Sequence, residues 1–237
     1  MADLKSVLVL TRPETQSLSF MEDLNRELGY EVPAIIAPVL RIDRVPFTVE
    51  FSSYRTIIIS SRNALTDLVG RLSGLNVRTI GEATAAAARD LGAQAVCLGV
   101  DIEDFLTRAD QVEPPALHLH GRHTRGDLVG RLRESGISAK GCIVYDQVSQ
   151  QLAPNACAAL AQGTAIVPVF SPRSAALVAA HPVHADTRVL AISEAAASAW
   201  NAPGRVTVAL RPDRAAMVEL VVYTVSSGHL VAPTQRR

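Results

Sequence analysis

Short apolar runs recur along the whole chain, and most are continuous rather than alternating with polar residues. Continuous runs are typical of strands buried on both faces, as in parallel sheets covered by helices. Between the runs lie stretches with helical apolar stripes, such as Leu65, Leu68, Val69 and Leu72. This alternation predicts an α/β fold. The predicted strands are about 6–10, 31–37, 55–60, 77–80, 94–98, 115–119, 141–145, 164–170, 188–192 and 205–209.

The pattern occurs twice, with the second copy about 110 residues after the first. The clearest correspondences are 7–12 with 117–122, 59–64 with 169–174, and 77–85 with 189–197. Each piece is an apolar run that ends in small or polar residues and then enters a helix-like stretch. A strand that feeds a helix has this form, so the chain is predicted to fold as two related α/β units. Ligands often bind in the cleft between two such units, where we expect the functional site.

Two segments, 38–46 and 145–151, do not fit the alternation, because both are extended and carry polar residues. They are the best candidates for the places where the chain crosses between lobes, and each lobe then holds five strands. The periodicity also allows a simpler split into halves near residue 112. With the crossings, the predicted division is a discontinuous lobe, 1–38 with 150–225, an inserted lobe, 42–144, and a flexible tail, 226–237.

The composition suits a globular protein with a large aliphatic core. Hydrophobic residues make up 48% and charged residues 19%, while aromatic residues are only 4%. The formal net charge is +0, which argues against generic binding to nucleic acid or to anionic membranes. No apolar run approaches the ~20 residues that a membrane span needs, and the first residues do not resemble a signal peptide.

The cysteines are odd in number and far apart: Cys97, Cys142 and Cys157. We interpret them as small, reduced core residues, which is the usual state of cysteine in the cytosol. The cysteines therefore favour a cytoplasmic location. We also expect a monomer that has no nucleic-acid or membrane partner.

Familiar catalytic signatures are absent, since the chain has no GxGxxG, P-loop, GxSxG, HExxH or CxxC motif. The only histidine cluster is His118, His120 and His123. On a strand, His118 and His120 would share one face and could ligate a metal. No nearby cysteine completes a ligand set, and the repeat of this segment carries Leu8 and Leu10 instead. We therefore predict that the chain holds no metal.

Loops that follow predicted strands are the remaining candidates for chemistry. In open parallel sheets, ligands bind beyond the carboxyl ends of the strands. Helix N-termini there present free backbone N–H groups that suit carboxylates or phosphates. Ser61 and Ser171 are also good helix N-caps, so a purely structural role stays open for each. The loops are 11–13, 60–63, 81–84, 121–125 and 171–174.

The order and spacing of these loop motifs carry a resemblance, although no single motif is specific. The motifs are Thr11-Arg12-Pro13, Ser60-Ser61-Arg62-Asn63-Ala64, Ile80-Gly81-Glu82-Ala83-Thr84-Ala85, Gly121 through Arg125-Gly126-Asp127-Leu128, Val144-Tyr145, Phe170-Ser171-Pro172, Ile192 with an alanine-rich helix, and Leu210-Arg211-Pro212. Across nearly its whole length the chain resembles the uroporphyrinogen-III synthase family.

The resemblance implies both a fold and a reaction. The implied fold has two five-stranded parallel-sheet lobes, flavodoxin-like or Rossmann-like, joined by a two-stranded β ladder, with the first lobe discontinuous. The implied reaction takes hydroxymethylbilane, a linear tetrapyrrole rich in carboxylates. Water leaves from the hydroxymethyl carbon, ring D is inverted, and the macrocycle closes to uroporphyrinogen III. The family uses no cofactor and no metal, so none is expected here.

The resemblance also suggests roles for individual residues. Tyr145 matches the family's tyrosine, and a tyrosine hydroxyl can protonate the leaving hydroxide. The alternative for Tyr145 is an amphipathic residue that packs between the lobes. Residues whose backbone or side chains are expected to bind the acetate and propionate groups are Ser61, Gly81, Thr84, Ser171 and Ser193, with charge from Arg12, Arg62 and Arg188.

The chain departs from the family pattern at two places. The segment Gly121-Arg122-His123 is only a loose version of its motif, and the second lobe carries the larger departure. Where the second lobe usually reads Gly-Pro-x-Thr, this chain has Ser193-Glu194-Ala195-Ala196. The threonine hydroxyl is missing, and Glu194 brings a negative charge near the expected carboxylate sites. The alternative hypothesis is therefore a catalytically degenerate, bilobed binding or sensor protein of the same fold for a carboxylated ligand.

Overall fold

The structure, a computed structural model, describes residues 6–124 and 126–229. The chain forms two compact units. The first consists of residues up to Arg41 together with those from Ser149 onward, and the second is Ile42–Val148. That these units are the two predicted lobes, each a domain in its own right, stays a prediction.

Strands and helices alternate along most of the described chain. The strands are β1 Val7–Leu10, β2 Ala34–Ile36, β3 Leu40–Arg44, β4 Thr56–Ile59, β5 Asn76–Ile80, β6 Gln94–Gly99, β7 Ala116–Gly121, β8 Ala139–Ser149, β9 Ala165–Val169, β10 Arg188–Ala191 and β11 Arg205–Val208. The helices are α1 Glu14–Leu28, α2 Glu82–Asp90, α3 Ile102–Leu106, α4 Leu128–Glu134, α5 Pro154–Ala161, α6 Pro172–Ala179, α7 Glu194–Ser198 and α8 Arg214–Thr224. Every strand predicted from the apolar runs is present.

The sheet of the first unit is parallel throughout, in the order β11-β10-β9-β1-β2. Strand β1, which lies between β9 and β2, shows why the apolar runs are continuous. Val9 packs into the core on one face of the sheet. Leu8 and Leu10 pack into the core on the other face, which includes Phe20 of α1. Both faces of the strand are therefore buried, and no position is left for an alternating polar residue.

The sheet of the second unit contains six strands, in the order β3-β8-β7-β4-β5-β6. Strands β8, β7, β4, β5 and β6 are parallel. At the edge, Val45 N–H donates to Val144 O at 3.1 Å, and Gln150 N–H donates to Val39 O at 3.0 Å. The partners therefore run in opposite directions, so β3 lies antiparallel to the end of β8.

The two parallel sheets confirm the predicted fold class, with one correction. The sixth strand is β3, which lies in a segment that the sequence analysis interpreted as an extended crossing outside the lobes. It pairs with the last residues of β8 and so extends the second sheet. Strand β8 has eleven residues: its first part pairs with β7, and its last part forms the two-stranded ladder with β3.

Each sheet has a point where the order of the strands reverses. In the first unit the chain passes from β1 to β2 on one side and from β9 to β11 on the other, so the reversal lies between β1 and β9. In the second unit it lies between β4 and β7. Loops diverge at such a switch point and leave a crevice at the carboxyl ends of the strands.

The helix expected from the stripe Leu65 to Leu72 does not form. The structure has a 3₁₀ turn at Arg62–Leu65, followed by turns. Gly70 and Gly74 adopt φ values of 72° and 74°, a left-handed conformation that interrupts a helix. Leu65, Leu68 and Leu72 are nevertheless buried, so burial explains the stripe without a helix.

The predicted tail falls mostly outside the described residues. Helical structure continues past α8 as a π-helical turn at Val225–His229. The first residues of the segment predicted as a flexible tail, 226–229, are therefore helical, and residues 230–237 lie outside the described part of the chain.

Two buried threonines in neighbouring strands of the second sheet provide a test of its packing. Thr79 is 0% exposed, and its hydroxyl has no hydrogen-bond partner among the described residues. Thr56 is also 0% exposed, but its hydroxyl donates to Glu113 O at 2.9 Å. We expect Thr79→Val to raise the free energy of unfolding by about 1 kcal/mol, because it removes a desolvated hydroxyl while keeping the shape.

The matched control is Thr56→Val, which should lower the free energy of unfolding by about 1 kcal/mol, since it breaks a buried hydrogen bond. Urea unfolding of both variants provides the measurement. Equal destabilisation by the two substitutions would contradict the assignment of Thr79 as an unsatisfied hydroxyl.

Candidate functional site

The carboxyl ends of the strands in the second unit bring several predicted residues to one edge. Ile59 pairs with Thr79 on one side and with Leu119 on the other, so β4, β5 and β7 end at nearly the same level. Ser61 and Arg62 follow β4, and Gly81 and Thr84 follow β5. Tyr145 lies opposite Gly121 where β7 ends. The residues predicted from this half of the chain therefore share one edge: Ser61, Arg62, Gly81, Thr84 and Tyr145.

The first backbone N–H groups of helix α2 point to this edge as possible donors for an anion. Gly81 has φ of 81°, and its own N–H donates to Gly99 O at 2.7 Å, so that amide is already used. The first internal hydrogen bond of α2 runs from Thr84 N–H to Gly81 O at 3.0 Å. The amides of Glu82 and Ala83 precede it and are the ones that can bind an anion. Sequence reasoning named Gly81 itself, whereas Gly81 supplies the turn.

Ser61 and Thr84 differ in how their side chains are held. The Ser61 hydroxyl accepts a hydrogen bond from Asn63 N–H at 3.3 Å, so the capping role is present. Its hydroxyl proton remains able to donate. Thr84 is the third residue of α2 and is 6% exposed, so its side chain is almost fully enclosed near the helix start.

Tyr145 is 6% exposed and belongs to the core cluster that contains Leu117, Leu119 and Val144. Its carbonyl accepts a hydrogen bond from Arg122 N–H at 2.9 Å. The phenol ring lies directly against Gly121, since a Cβ placed on Gly121 would fall 2.5 Å from ring carbons and 2.9 Å from the hydroxyl oxygen. The ring is therefore held between a core and the bare backbone of the neighbouring strand.

A charged cluster beside Tyr145 was missed by sequence reasoning. Asp146 Oδ2 accepts a hydrogen bond from Arg122 Nε at 2.8 Å. Asp146 Oδ1 lies 3.6 Å from His123 Nε2 and accepts no hydrogen bond from the described residues. The available signal was an acid immediately after the tyrosine together with the basic loop after β7, but only the pairing of β7 and β8 brings them together.

His118 and His120 lie on one face of β7 with ring centroids 4.8 Å apart, as the strand pattern predicted. His118 Nε2 is hydrogen-bonded to Ser60 Oγ at 2.9 Å, and His120 Nδ1 donates to Gly121 O at 2.8 Å. Burial, followed by repulsion from His120, lowers the pKa of His118 from its ordinary value of 6.5 to about 3. A base this weak cannot activate the Ser60 hydroxyl at neutral pH.

Residues 6–124 and 126–229 contain no group of three histidine, cysteine, aspartate or glutamate side chains that could hold a metal ion. The three cysteines are free and half-buried, and two of them, Cys142 and Cys157, pack against the core clusters, in line with their interpretation as small core residues. Burial raises the pKa of the Cys142 thiol, so this thiol stays protonated at neutral pH.

The first unit has its own edge, at the ends of β1, β9 and β10. The Arg12 guanidinium lies 4.3 Å above the centroid of the Phe170 ring, and Arg12 Nε donates to Gln16 Oε1 at 3.0 Å. The Ser171 hydroxyl accepts a hydrogen bond from Ser174 N–H at 3.1 Å and caps α6. The Ser193 hydroxyl accepts one from Ala196 N–H at 3.3 Å and caps α7. Arg12, Ser171 and Ser193 therefore lie at one edge.

Arg188 does not lie with these residues. It is the first residue of β10, whereas Ser193 follows the end of that strand, so the two lie at opposite edges of the sheet. Burial lowers the pKa of Arg188; repulsion from Arg205 lowers it further, and attraction to Asp186 opposes the shift. The predicted strand 188–192 already began at Arg188, but the resemblance suggested this arginine for its charge without regard to its place on the strand.

The segment that departs from the family pattern forms an ordinary helix start. Glu194 is the first residue of α7 and is exposed, so its carboxylate stays in water. Ala196 is 0% exposed and belongs to the core of the first unit. A threonine at this position would therefore place its hydroxyl at a site where alanine packs completely.

The family model described as uroporphyrinogen-III synthase HemD matches residues 19–221. The chain belongs to the uroporphyrinogen-III synthase family. This confirms the resemblance found in the loop motifs and identifies the chain as a lyase of tetrapyrrole biosynthesis, with a tetrapyrrole substrate. The alternative of a degenerate binding protein is not favoured.

Solved structures agree with the fold. The uroporphyrinogen-III synthetase of Helicobacter pylori 26695 is 17% identical, with a TM-score of 0.65 over 92% of this chain and 99% of that chain. A mutant uroporphyrinogen III synthase of the extremely thermophilic bacterium Thermus thermophilus is 15% identical, with a TM-score of 0.52 over 94% of this chain and 100% of that chain. At these identities the likeness supports the fold alone. A comparison with curated proteins finds no match.

No described helix combines the length and the apolar character needed to cross a membrane.

The low pKa of His118 predicts a specific pH dependence of stability. The unfolded chain takes up a proton on this histidine near pH 6.5, whereas the folded chain takes it up only near pH 3. Stability should therefore fall as the pH is lowered through this window, by at most about 1.4 kcal/mol per pH unit. We expect His118→Gln to flatten the dependence, because glutamine does not titrate.

Urea unfolding of both proteins between pH 4.5 and 7.5 provides the measurement, and the difference between the two slopes isolates His118 from the carboxylates that both proteins share. Identical slopes would show that His118 protonates equally in the folded and unfolded chains.

Proposed function

We propose that the chain cyclises hydroxymethylbilane to uroporphyrinogen III with Tyr145 as the general acid. The observation that carries this proposal is the placement of one phenol against Gly121, at the edge that also contains Ser61, Arg62 and Thr84. The described residues form no hydrogen bond with the Tyr145 hydroxyl, so its proton is available to a ligand.

The proton transfer needed is a simple one. The bond between the terminal carbon and its hydroxyl oxygen breaks, and the electron pair leaves with the oxygen. The Tyr145 hydroxyl gives its proton to that oxygen, so water departs rather than hydroxide. The neighbouring pyrrole nitrogen stabilises the positive charge that develops on the carbon. The reaction involves no change of overall oxidation state, and we therefore propose that it uses no cofactor and no metal.

We propose that the carboxyl edge of each sheet binds substrate carboxylates, with a separate set of residues in each unit. In the second unit the ligands are Ser61, Arg62, the hydroxyl of Thr84 and the amides that begin α2. The positive end of a helix of nine residues favours an anion there. Held at several carboxylates, a flexible tetrapyrrole loses the conformational freedom that otherwise opposes ring closure.

In the first unit we propose Arg12, Ser171 and Ser193, and we leave Arg188 out because it lies at the opposite edge. The Phe170 ring and the Gln16 side chain hold the Arg12 guanidinium, which fixes the position of its positive charge at this edge. The exposed Glu194 can turn its carboxylate into solvent, so it does not exclude an anion from the helix start.

We further propose that the protein works in the cytoplasm as a monomer and binds neither nucleic acid nor membranes. The net charge of +0 argues against attraction to nucleic acid or to anionic membranes. Three free thiols in the described chain support a reducing compartment. The assay that tests the whole proposal measures product formation from hydroxymethylbilane. It must separate two products: the macrocycle in which ring D is inverted and the macrocycle that closes without inversion.

Tyr145→Phe should lower the rate of ring closure by about 10²- to 10⁴-fold, because it removes the proton that assists the departure of water. The melting temperature should stay nearly unchanged, since the ring and its packing against Gly121 remain. Single-turnover kinetics and thermal unfolding provide the two measurements.

The matched control is Tyr54→Phe, which removes a phenol from the same unit just before β4, at the opposite edge of the sheet. It should leave the rate unchanged. A loss of less than tenfold in Tyr145→Phe would mean that another group or a water molecule supplies the proton.

Thr84→Ala should weaken binding of uroporphyrinogen III by about 1.5–3 kcal/mol, the usual value of one hydrogen bond to a charged group. Thr84→Ser keeps the hydroxyl and should restore most of the affinity. Titration of the wild type and both variants provides the measurement. Equal affinity of the alanine and serine variants would exclude a ligand contact by the Thr84 hydroxyl.

A further inference from the structure

Strand β8 contains an irregularity at the level of Tyr145. The pairing of β7 with β8 is regular up to His120, which lies opposite Ile143, but the next residue, Gly121, lies opposite Tyr145. One residue of β8, Val144, is therefore inserted between two successive pairs. An insertion of this kind is a β-bulge, and it changes the face of the sheet to which the following side chains point.

The packing of β8 shows the effect of the bulge. Consecutive residues of a regular strand point to opposite faces. Val144 and Tyr145 are consecutive, yet both belong to the core cluster that also contains Leu117 and Leu119 of β7. The bulge is what turns the Tyr145 ring onto this face, where it meets the end of β7 instead of pointing to the other side.

Gly121 is the residue over which the ring passes. It has the regular strand position after Leu119, on the same face, and a side chain there would overlap the phenol. A Cβ would lie 2.5 Å from Cε2 and from Cζ, and 2.9 Å from the hydroxyl oxygen, distances that real Cβ contacts essentially never show. The ring occupies the space that any side chain at position 121 would fill.

The internal repeat offers a comparison within the same chain. The residue that corresponds to Gly121 in the first unit is Thr11, which has a side chain and is 2% exposed. Its neighbouring strand, β2, carries Ala34, Ile35 and Ile36 and no aromatic residue. At the end of β1, position 11 therefore has room for a side chain, because no ring lies over it. Glycine is required at the corresponding position 121 because the Tyr145 ring lies there.

An ion pair holds the same turn from the other side. Asp146 follows Tyr145 and therefore points away from the ring, and it accepts the 2.8 Å hydrogen bond from Arg122 Nε. Arg122 N–H also donates to Tyr145 O. Arg122 thus binds both the backbone of Tyr145 and the side chain of the next residue, and it fixes the end of β7 to the bulged part of β8.

We propose that Gly121 is a positioning residue for the general acid, with the Arg122–Asp146 ion pair as its support. The missing side chain lets the Tyr145 ring lie across the end of β7, and the ion pair keeps the bulge in place, so the phenol oxygen is held at the carboxyl edge. The inference rests on the proposed function, because it assigns a role through Tyr145.

The test is Gly121→Ala. Gly121 has an ordinary backbone conformation, since it is not among the glycines with positive φ, so alanine affects only the ring. We expect the rate of uroporphyrinogen III formation to fall at least about tenfold with KM within about twofold, because the proton donor moves while the binding residues stay. In the Tyr145→Phe background, Gly121→Ala should change the remaining rate by less than about twofold.

The matched control is Gly141→Ala. Its Cβ would lie 2.7 Å from His120 Nε2, so it strains the same pair of strands without touching Tyr145. It should lower the melting temperature and keep the rate. A purely structural role for Gly121 would make both alanine variants lower the rate alike, or would lower the rate equally with and without the Tyr145 hydroxyl. Either result overturns the proposal.

A second variant keeps the test decisive if Gly121→Ala does not fold. Asp146→Asn removes the charge that binds Arg122 and adds no volume. It should lower the rate about threefold, again only when the Tyr145 hydroxyl is present.

The position of the ring is read directly from carbon-13 tyrosine spectra, since the chain has only 4 tyrosines. The Tyr145 signal should shift in Gly121→Ala and stay in place in Gly141→Ala, and an unshifted signal in Gly121→Ala overturns the proposal.

One comparison separates this inference from the proposed function. Full activity of Tyr145→Phe overturns the acid role and the positioning role together. Full activity of Gly121→Ala beside an impaired Tyr145→Phe overturns only the positioning role.

Discussion

Burial of parallel strands on both faces is the constraint on which the rest of this structure depends. A strand with no exposed face cannot carry a charged or catalytic side chain along its length, so such side chains are found only where the strand ends. Val9, Leu8 and Leu10 of β1 show this directly, because they fill the cores on opposite faces of one strand. In a parallel sheet all such ends lie at one edge, and for this reason the candidate residues gather there.

The repeat shows how the same constraint allows two units to diverge. Where β1 has Leu8 and Leu10 in its core, β7 has His118 and His120 at the same positions. The imidazoles occupy places that the fold otherwise fills with leucine, which is why His118 is only 4% exposed and its pKa lies near 3. A histidine cluster that suggests chemistry in the sequence is thus explained by packing. Where the first unit has Thr11, the second unit has Gly121, and the Tyr145 ring lies against its bare backbone.

Sequence reasoning predicted those parts of the fold and site that depend on pattern, and it failed where pairing decides. The strands follow from apolar runs, and the loops follow from where the runs end. The Leu65 stripe did not become a helix, because Gly70 and Gly74 turn left-handed while the leucines are still buried. Arg188 is the first residue of its strand and therefore lies at the edge opposite to Ser193, but the resemblance that suggested it took no account of strand direction. The bulge at Val144 and the pairing of Arg122 with Asp146 depend on strand register, which a single sequence does not reveal.

The serines at the strand ends show that capping a helix and binding a ligand need not compete. A hydroxyl has one proton to donate and two lone pairs that accept. In Ser61 and Ser193 the backbone N–H of the helix start uses a lone pair, which leaves the proton for a carboxylate. Ser171 is different, because its Oγ also lies 2.9 Å from Ser174 Oγ, so a second hydroxyl shares its proton. The capping hydrogen bond therefore orients the serine hydroxyl at the helix start, where a carboxylate would meet it.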